Sequence, residues 1–511
     1  ERALTSAVDA LEEALFVLDA NTTIGFANPK GKALTGWKEF EGPRRFVESV
    51  APDDRERLRD AVRESLARHA SETLRNVTLA ASGARVTVRL EPIDDNSDAC
   101  VLATVGSALD EPASAQRHDG SPRLMVYSHD TFGLGHIRRC MNLIRAMSER
   151  MEDLSTLLVT GSPVAHKFEL PPRTDYLKLP AVRKVAPDAY EPRSLGMSDE
   201  GILTLRRNLL LRTVRDYSPN LLLVDHSPTG MNGELRPVLE YLRETGSCTR
   251  ILGLRDIIDS PDRVAKRWAE EKMLDVLERD YDHMVVYGSR DVYATADEYG
   301  LPDALRARTT YANYVSQGVA TKTVAPEVEE RLVVVTIGGG DGGGDTLVRP
   351  FLQLLRDRKD ELAIRAEVLL GPFAPPELRA ELRALAEGSP VVLHDFIPDP
   401  TPLFARAGLV ISTAGYNVSA ELIAHAQRAL LIPRVVHRDE QLIRSRRLAE
   451  LGLVDFLHPA DATPDAIGER VLAALANPAR PLAEARAANR VPLDGAERMA
   501  EFVEGLARAR R

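Results

Sequence analysis

The sequence predicts an α/β protein in which two parallel-sheet domains follow a smaller α+β domain. Three observations carry this reading. From residue 123 onward, short strand-like apolar runs alternate with helical patterns, the order that builds a parallel sheet covered by helices. The alternation starts afresh near Leu332. Ahead of both, residues 107–122 are rich in Ser, Ala, Pro, Asp and Gly and have no hydrophobic period, so they read as a linker.

In order along the chain, residues 1–106 mix short strands, such as Ala14–Leu18 and Val86–Leu90, with a helix from Pro52 to about Ala70. Residues 123–320 carry strand runs at Leu124–Ser128, Ser155–Thr160, Leu221–Asp225, Ile251–Arg255 and Met284–Tyr287. Residues 321–511 repeat the scheme with Leu332–Ile337, Ala366–Leu370, Val391–Phe396, Leu409–Ser412 and Ala429–Ile432. Between the two, Tyr311 to Glu330 is polar and aperiodic and reads as a hinge. A chain of 511 residues exceeds one hydrophobic core, which agrees with three domains.

Composition narrows the function. The chain is 44% hydrophobic, 28% charged and 5% aromatic, ordinary values for a globular protein. A net charge of −10 opposes non-specific nucleic-acid binding, which needs cations to replace phosphate counterions. Cys100, Cys140 and Cys248 are far apart, with neither metal-ligand nor disulfide spacing. No apolar run is long enough to span a bilayer and no basic-then-apolar leader opens the sequence, so the expected compartment is the cytoplasm.

Three segments bear chemistry. The first strand of the central domain ends in Ser128-His129-Asp130-Thr131-Phe132-Gly133-Leu134-Gly135-His136, and a helix with apolar positions at Ile137, Met141, Ile144 and Met147 follows at once. A turn of this kind brings backbone N–H groups and His136 to the carboxyl edge of a parallel sheet, where ligands bind. His136 is the natural general base near neutral pH, though a helix-capping histidine has the same signature. Without a third glycine the segment is not a dinucleotide fingerprint. At the opening of the last domain, Gly338-Gly339-Gly340-Asp341-Gly342-Gly343-Gly344 follows the strand and lets backbone approach a phosphate; no Gly-Lys-Ser/Thr follows, so this is not a Walker loop. The third segment, Ser412-Thr413-Ala414-Gly415-Tyr416-Asn417, again runs from strand to helix and offers a helix N-terminus to a diphosphate, with Glu421 a turn further on for ribose hydroxyls. Asp439, Glu440 and Gln441, beyond the next strand, suit sugar hydroxyls.

The ordered set resembles the GT-B glycosyltransferases, close to the MurG-type and diacylglycerol-glycosyltransferase group, over roughly Arg123 to the C-terminus. Tyr127 to His136 further resembles a subgroup of predicted bacterial glycosyltransferases of no fixed acceptor. The resemblance implies an acceptor-side loop at Gly133 and Gly135. It also implies a donor site from Gly338, Gly339, Gly340, Ser412, Thr413, Gly415, Glu421, Asp439 and Gln441, with the backbone of Phe396 and Ile397 reading the nucleotide base. Two departures stand out: the glycine run is longer, and Tyr416-Asn417 replaces small apolar residues. Residues 1–106 resemble a PAS sensor through Thr23–Pro29, Leu34–Trp37 and Ala51–Arg55; the flavin-adduct cysteine motif is missing and His69 is the only histidine there, so the resemblance fixes no ligand.

Together these imply a metal-independent, inverting hexosyl transfer from a nucleotide sugar, UDP-sugar favoured, to an unidentified hydroxyl acceptor that is a small molecule, polymer or lipid. No cofactor is required, and the PAS-like domain would regulate the reaction and offers a route to dimers. Asp225 and His226 are a second candidate for base or orienting pair, and Arg255, Asp256 and Asp259 are expected on the acceptor side, surface ion pairing being the alternative. Asp280-Tyr281-Asp282 precedes a strand, the wrong place for a metal-diphosphate clamp, and reads as a solvated helix end. The helix with Arg206, Arg207, Arg212 and Arg215 reads as a buried leucine stripe under a basic outer face that allows peripheral membrane contact. The rival readings are a sugar-nucleotide epimerase, whose usual Gly-Gly-x-x-Glu-Glu turn is missing, and a silent nucleotide-sugar-binding signalling protein.

Overall fold

The computed structural model describes residues 14–35, 44–82, 85–94, 99–107, 120–129, 135–186, 189–316, 327–339, 343–397, 399–425, 428–435, 438–476 and 491–509. The chain forms two compact units, Glu1–His118 and Asp119–Arg511. Most of the expected 107–122 linker, and Gly133 and Gly340 among the expected site residues, lie outside the described residues.

The first unit is one antiparallel sheet of β1 (Ala14–Asp19), β2 (Ile24–Ala27), β3 (Glu72–Thr78), β4 (Arg85–Asp94) and β5 (Ala99–Ser107), in the order β2-β1-β5-β4-β3. The expected helix begins as a 3-10 turn at Pro52–Asp54 and runs on as Arg55–Arg68. Its Leu58 and Val62 enter a core with Phe16 and Phe46, and it stops where His69 turns left-handed at φ 46°. His69 is exposed at that cap.

The second unit holds two wholly parallel sheets. The first lobe contains β6 (Arg123–Ser128), β7 (Ser155–Thr160), β8 (Thr174–Lys178), a separate hairpin of β9 (Val182–Ala186) and β10 (Ala189–Pro192), then β11 (Leu221–Asp225), β12 (Thr249–Arg255), β13 (His283–Tyr287) and β14 (Thr309–Tyr311). Its sheet order is β14-β13-β12-β11-β6-β7-β8. The second lobe contains β15 (Glu329–Thr336), β16 (Arg365–Leu369), β17 (Val391–His394), β18 (Ala407–Ser412), β19 (Ala429–Leu431) and β20 (Asp455–Phe456), in the order β17-β16-β15-β18-β19-β20. Continuous apolar runs such as Leu221–Val224 form strands here because helices cover both sheet faces and no alternation is needed.

Strand order reverses once in each sheet, between β6 and β11 and between β15 and β18. At such a switch point neighbouring loops diverge and leave a crevice at the strands' carboxyl ends. In sequence these four strands are followed by the motif segments: His129 to His136, Asp225-His226, the glycine run, and Ser412 to Asn417, of which residues 130–134 and 340–342 lie outside the described residues.

Four readings are corrected in this unit. The final helix, Gly495–Ala509, does not stay with the second lobe. It packs on Gly135–Arg150 of the first, where Met499, Val503 and Ala507 share a core with Ile144 and Met147, and Arg150 bonds Glu504 at 2.6 Å. Arg206 is not on an outer face: it is buried, with two bonds to Glu234 at 2.6 and 2.7 Å, and Tyr127 donates to the same carboxylate at 2.6 Å. Asp280 is not solvated, being buried between Arg243 and Arg279 at 2.9 and 2.7 Å. Asp225, Asp256 and Asp259 are likewise buried, not surface ion pairs. Among the described residues, no helix is long and apolar enough to cross a membrane.

Candidate active site

The register that sets β6 beside β11 delivers His136, in the first turn of its helix, to Asp225 at the end of β11. His136 Nδ1 lies 2.5 Å from Asp225 Oδ2. Arg139, one turn along the same helix face, donates to both oxygens of that carboxylate at 2.9 Å. Burial alone would raise the Asp225 pKa, but Arg139 and His136 outweigh it and hold the carboxyl below its ordinary range. An ionised carboxylate has no proton to give, so the Nδ1 of neutral His136 carries the hydrogen and Nε2 is free to accept one. Burying Asp225 therefore both orients the imidazole and sets its tautomer.

His136 lines a cleft between the lobes together with Gly135, Arg138, Arg255, Gly338, Gly339, Phe396, Ile397, Gly415 and Gln441. Gly338 takes φ 69° and Gly343 φ 89°, left-handed conformations that favour glycine; a Cβ on Gly343 would also sit 2.8 Å from the Thr413 methyl. The bend at Ala414, with φ 67°, starts the Tyr416–His425 helix, whose first turn faces this cleft. Gly338 and Gly339 of one loop, Gly415 at the helix start of another and Arg138 thus border one space, which suits an anion, although the Gly338 N–H itself is held by the Thr336 hydroxyl at 3.2 Å.

Of the other predicted residues, Gln441 and Arg255 line the cleft and the rest stand back from it. Ser412 and Thr413 are buried at the end of β18. Glu421 is partly buried on the second turn of its helix, near enough to Arg138 to oppose the lowering that burial imposes on that guanidinium. Gln441 accepts from the Arg434 backbone at 3.0 Å, which leaves its amide nitrogen to offer. The Asp439 carboxylate lies 3.6 Å from Arg263 and its backbone N–H bonds Asp259 at 2.9 Å, so it belongs to the lobe seam. Asp256 does not face the acceptor side: its two oxygens take Arg444 at 2.6 and 2.8 Å and Tyr314 at 2.9 Å, all buried. Arg255 donates to His226 Nε2 at 3.0 Å and lies 3.0 Å from Glu440.

The sequence reading missed Arg138, Arg139 and Arg444. Arg139 had a signal, its i,i+3 spacing from His136. Tyr416 and Asn417, the two departures, join the lobes: Asn417 donates to the Gly135 carbonyl at 2.8 Å, and the Tyr416 ring lies 5.0 Å from the Arg139 guanidinium and 5.8 Å from that of Arg444.

The rings of His129 and His226 lie 5.8 and 5.4 Å from that of His136. Burial, then Arg255 and His136, holds His226 well below the ordinary histidine range, and burial with His136 takes His129 down to about 3. Unfolding frees both to bind protons below about pH 6.5, so stability should fall as acid is added, by up to about 2 kcal/mol per histidine between pH 7 and 5. Asp225 adds nothing in this window, because its carboxyl is ionised in both states. Urea titrations at the two pH values check this, and His226→Gln should flatten the slope.

Residues 335–501 match the glycosyltransferase family 28 C-terminal domain. In sequence the chain is 26% identical over 326 residues to the UDP-N-acetylglucosamine–N-acetylmuramyl-(pentapeptide) pyrophosphoryl-undecaprenol N-acetylglucosamine transferase of Anaeromyxobacter sp., covering 60% of this chain and 78% of that one. To the protein of the same name from Brucella anthropi it is 28% identical over 187 residues, 35% of this chain and about half (48%) of the relative's length. In structure it resembles the glycosyltransferase of kitacinnamycin (TM-score 0.51, 16% identity, 76% of this chain and 99% of that one). A Listeria monocytogenes protein held to be a UDP-N-acetylglucosamine 2-epimerase is equally similar (TM-score 0.51, 12% identity, 76% and 96%), so at these identities the likeness is one of fold. The family 28 match, seated on this two-lobed parallel framework, supports a glycosyltransferase of GT-B architecture.

Proposed function

We propose that the chain transfers a hexosyl group from a UDP-sugar to an acceptor hydroxyl, with inversion and without a bound metal. The observation that carries this is the Arg139–Asp225–His136 relay at the rim of a cleft whose other wall is the glycine loop and a helix start. The acceptor hydroxyl gives its proton to His136 Nε2 as its oxygen attacks the anomeric carbon, and the bond to UDP breaks on the opposite face. Negative charge gathering on the departing diphosphate meets the N–H groups of Gly339 and Gly415 and the Arg138 guanidinium. Glu421 takes ribose hydroxyls, the Phe396-Ile397 backbone reads the base, and Gln441 holds the sugar. UDP is favoured because the named relatives are UDP-N-acetylglucosamine transferases. The antiparallel unit, resembling a PAS sensor, regulates this reaction without joining its chemistry, since the described residues that line the cleft all belong to the second unit.

Incubation with a panel of nucleotide sugars should release UDP from one of them, even if only by slow transfer to water. Recovery of an epimerised UDP-sugar instead would replace the transferase with an epimerase. In calorimetry Glu421→Ala should weaken UDP binding by roughly 1–3 kcal/mol, the cost of a charge-assisted hydrogen bond. An unchanged affinity would remove Glu421 from the ribose.

A further inference from the structure

A second cavity, of about 330 Å³, opens in the first lobe beyond the histidine cluster. His129 and His226 line it and His136 does not, whereas the donor cleft is lined by His136 and by neither of the other two. One imidazole, that of His226, therefore separates this cavity from the group assigned as base. Its apolar wall includes Trp268, which is buried and packs edge-on against Tyr299.

Charge sets the cavity apart. Three guanidinium groups line it, from Arg236, Arg267 and Arg438, against one carboxylate, that of Glu271. They come from three places: Arg236 opens the Arg236–Thr245 helix and Arg267 sits in the last turn of the Pro261–Glu270 helix, both in the first lobe, and Arg438 lies just before the Glu440–Glu450 helix of the second. Arg139, Arg206, Arg255 and Arg444, by contrast, each meet a carboxylate within 3.0 Å. Among the described residues, Arg236, Arg267 and Arg438 form no ion pair. Converging cations left unneutralised repel one another and become favourable when an anion sits among them.

A second observation points to the same ligand. Arg255 donates to His226 Nε2, so that nitrogen is an acceptor and the ring's proton sits on Nδ1. His226 Nδ1 is a buried atom that has no hydrogen-bond partner among the described residues, and His129 Nδ1 is another. A buried donor without an acceptor is costly, and an anionic oxygen in the cavity would satisfy it.

We propose that this cavity is the acceptor subsite and takes a phosphoryl-bearing acceptor, with Arg236, Arg267, Arg438 and the His226 Nδ1–H on its oxygens and Trp268 against its apolar part. Three positive groups against one negative suit a phosphate monoester dianion better than a carboxylate. The proposal rests on the transferase reading in calling the ligand an acceptor.

The test is calorimetry on the full chain saturated with UDP, with phenyl phosphate as the probe. Phenyl phosphate should bind, benzoate should bind at least about ten-fold more weakly, and Arg236→Ala and Arg267→Ala should each weaken phenyl phosphate about ten-fold with UDP affinity unchanged. Circular dichroism checks that both variants fold. Undiminished binding in both variants, displacement of phenyl phosphate by UDP, or benzoate binding equally well would overturn the proposal. Failure of the chain to bind UDP would count against the transferase reading alone, because the arginine variants still report on this cavity.

Discussion

His136→Ala should leave UDP affinity within two-fold of the parent and lower turnover by roughly 10²–10⁴, the usual cost of losing a general base. The separation follows from position. His136 touches the cleft at its rim, while the phosphate-facing groups assigned are the backbone N–H groups of Gly339 and Gly415 and the Arg138 guanidinium, none of which depends on the imidazole. Asp225→Asn is the sharper variant. It keeps the side-chain shape, but a carboxamide can turn its NH2 to His136 and present an acceptor lone pair no longer, or turn its oxygen and leave Arg139 facing an uncharged group. Turnover should fall while UDP binding persists. Near-parent turnover in His136→Ala would end its role as base and move attention to His226.

Strands and their alternation were legible because a sheet buried on both faces writes itself as runs such as Leu221–Val224 and Leu409–Ile411. The site was legible where chemistry sits in one segment: a strand, a turn and His136 are contiguous. It was illegible where the partner comes from elsewhere. Asp256 and Asp225 are both acids at the ends of adjacent strands, and nothing local says that one orients a histidine at the cleft while the other closes a buried ion pair with Arg444, 188 residues away. Arg206 shows the same limit. Its helix pattern offers a basic face, and only the carboxylate of Glu234 beneath turns one of those arginines inward. The final helix was assigned to the lobe it follows, but its Met499–Val503 face fits the first lobe's opening helix, a long-range complementarity that periodicity does not encode.

Arg444→Met should cost roughly 3–5 kcal/mol of stability, because it strands the Asp256 carboxylate in the seam between the lobes. Both partners are fully buried, the pair is bidentate, and Tyr314 supplies the remaining donor, so no water stands ready to replace the guanidinium. The same Arg444 donates to the Ala414 carbonyl at 3.0 Å, at the bend that starts the helix assigned to the donor, and its guanidinium lies 5.8 Å from the Tyr416 ring that Arg139 also meets. Its loss should therefore reach function as well as stability, loosening the helix start assigned to the diphosphate and raising the KM for UDP-sugar more than it lowers kcat. Urea unfolding followed by circular dichroism reads the first effect and steady-state kinetics the second. Replacing both partners, Asp256→Leu with Arg444→Met, removes the stranded charge and should recover most of the stability, since a buried ion pair is often no better than well-packed apolar groups. The kinetic defect should persist in that double variant, because the Ala414 carbonyl is still without its donor. If the single variant is as stable as the parent, the seam is wetter than its burial implies; if the double variant loses as much as the single, the cost lies in packing around Tyr314 and Tyr416 and not in the charge.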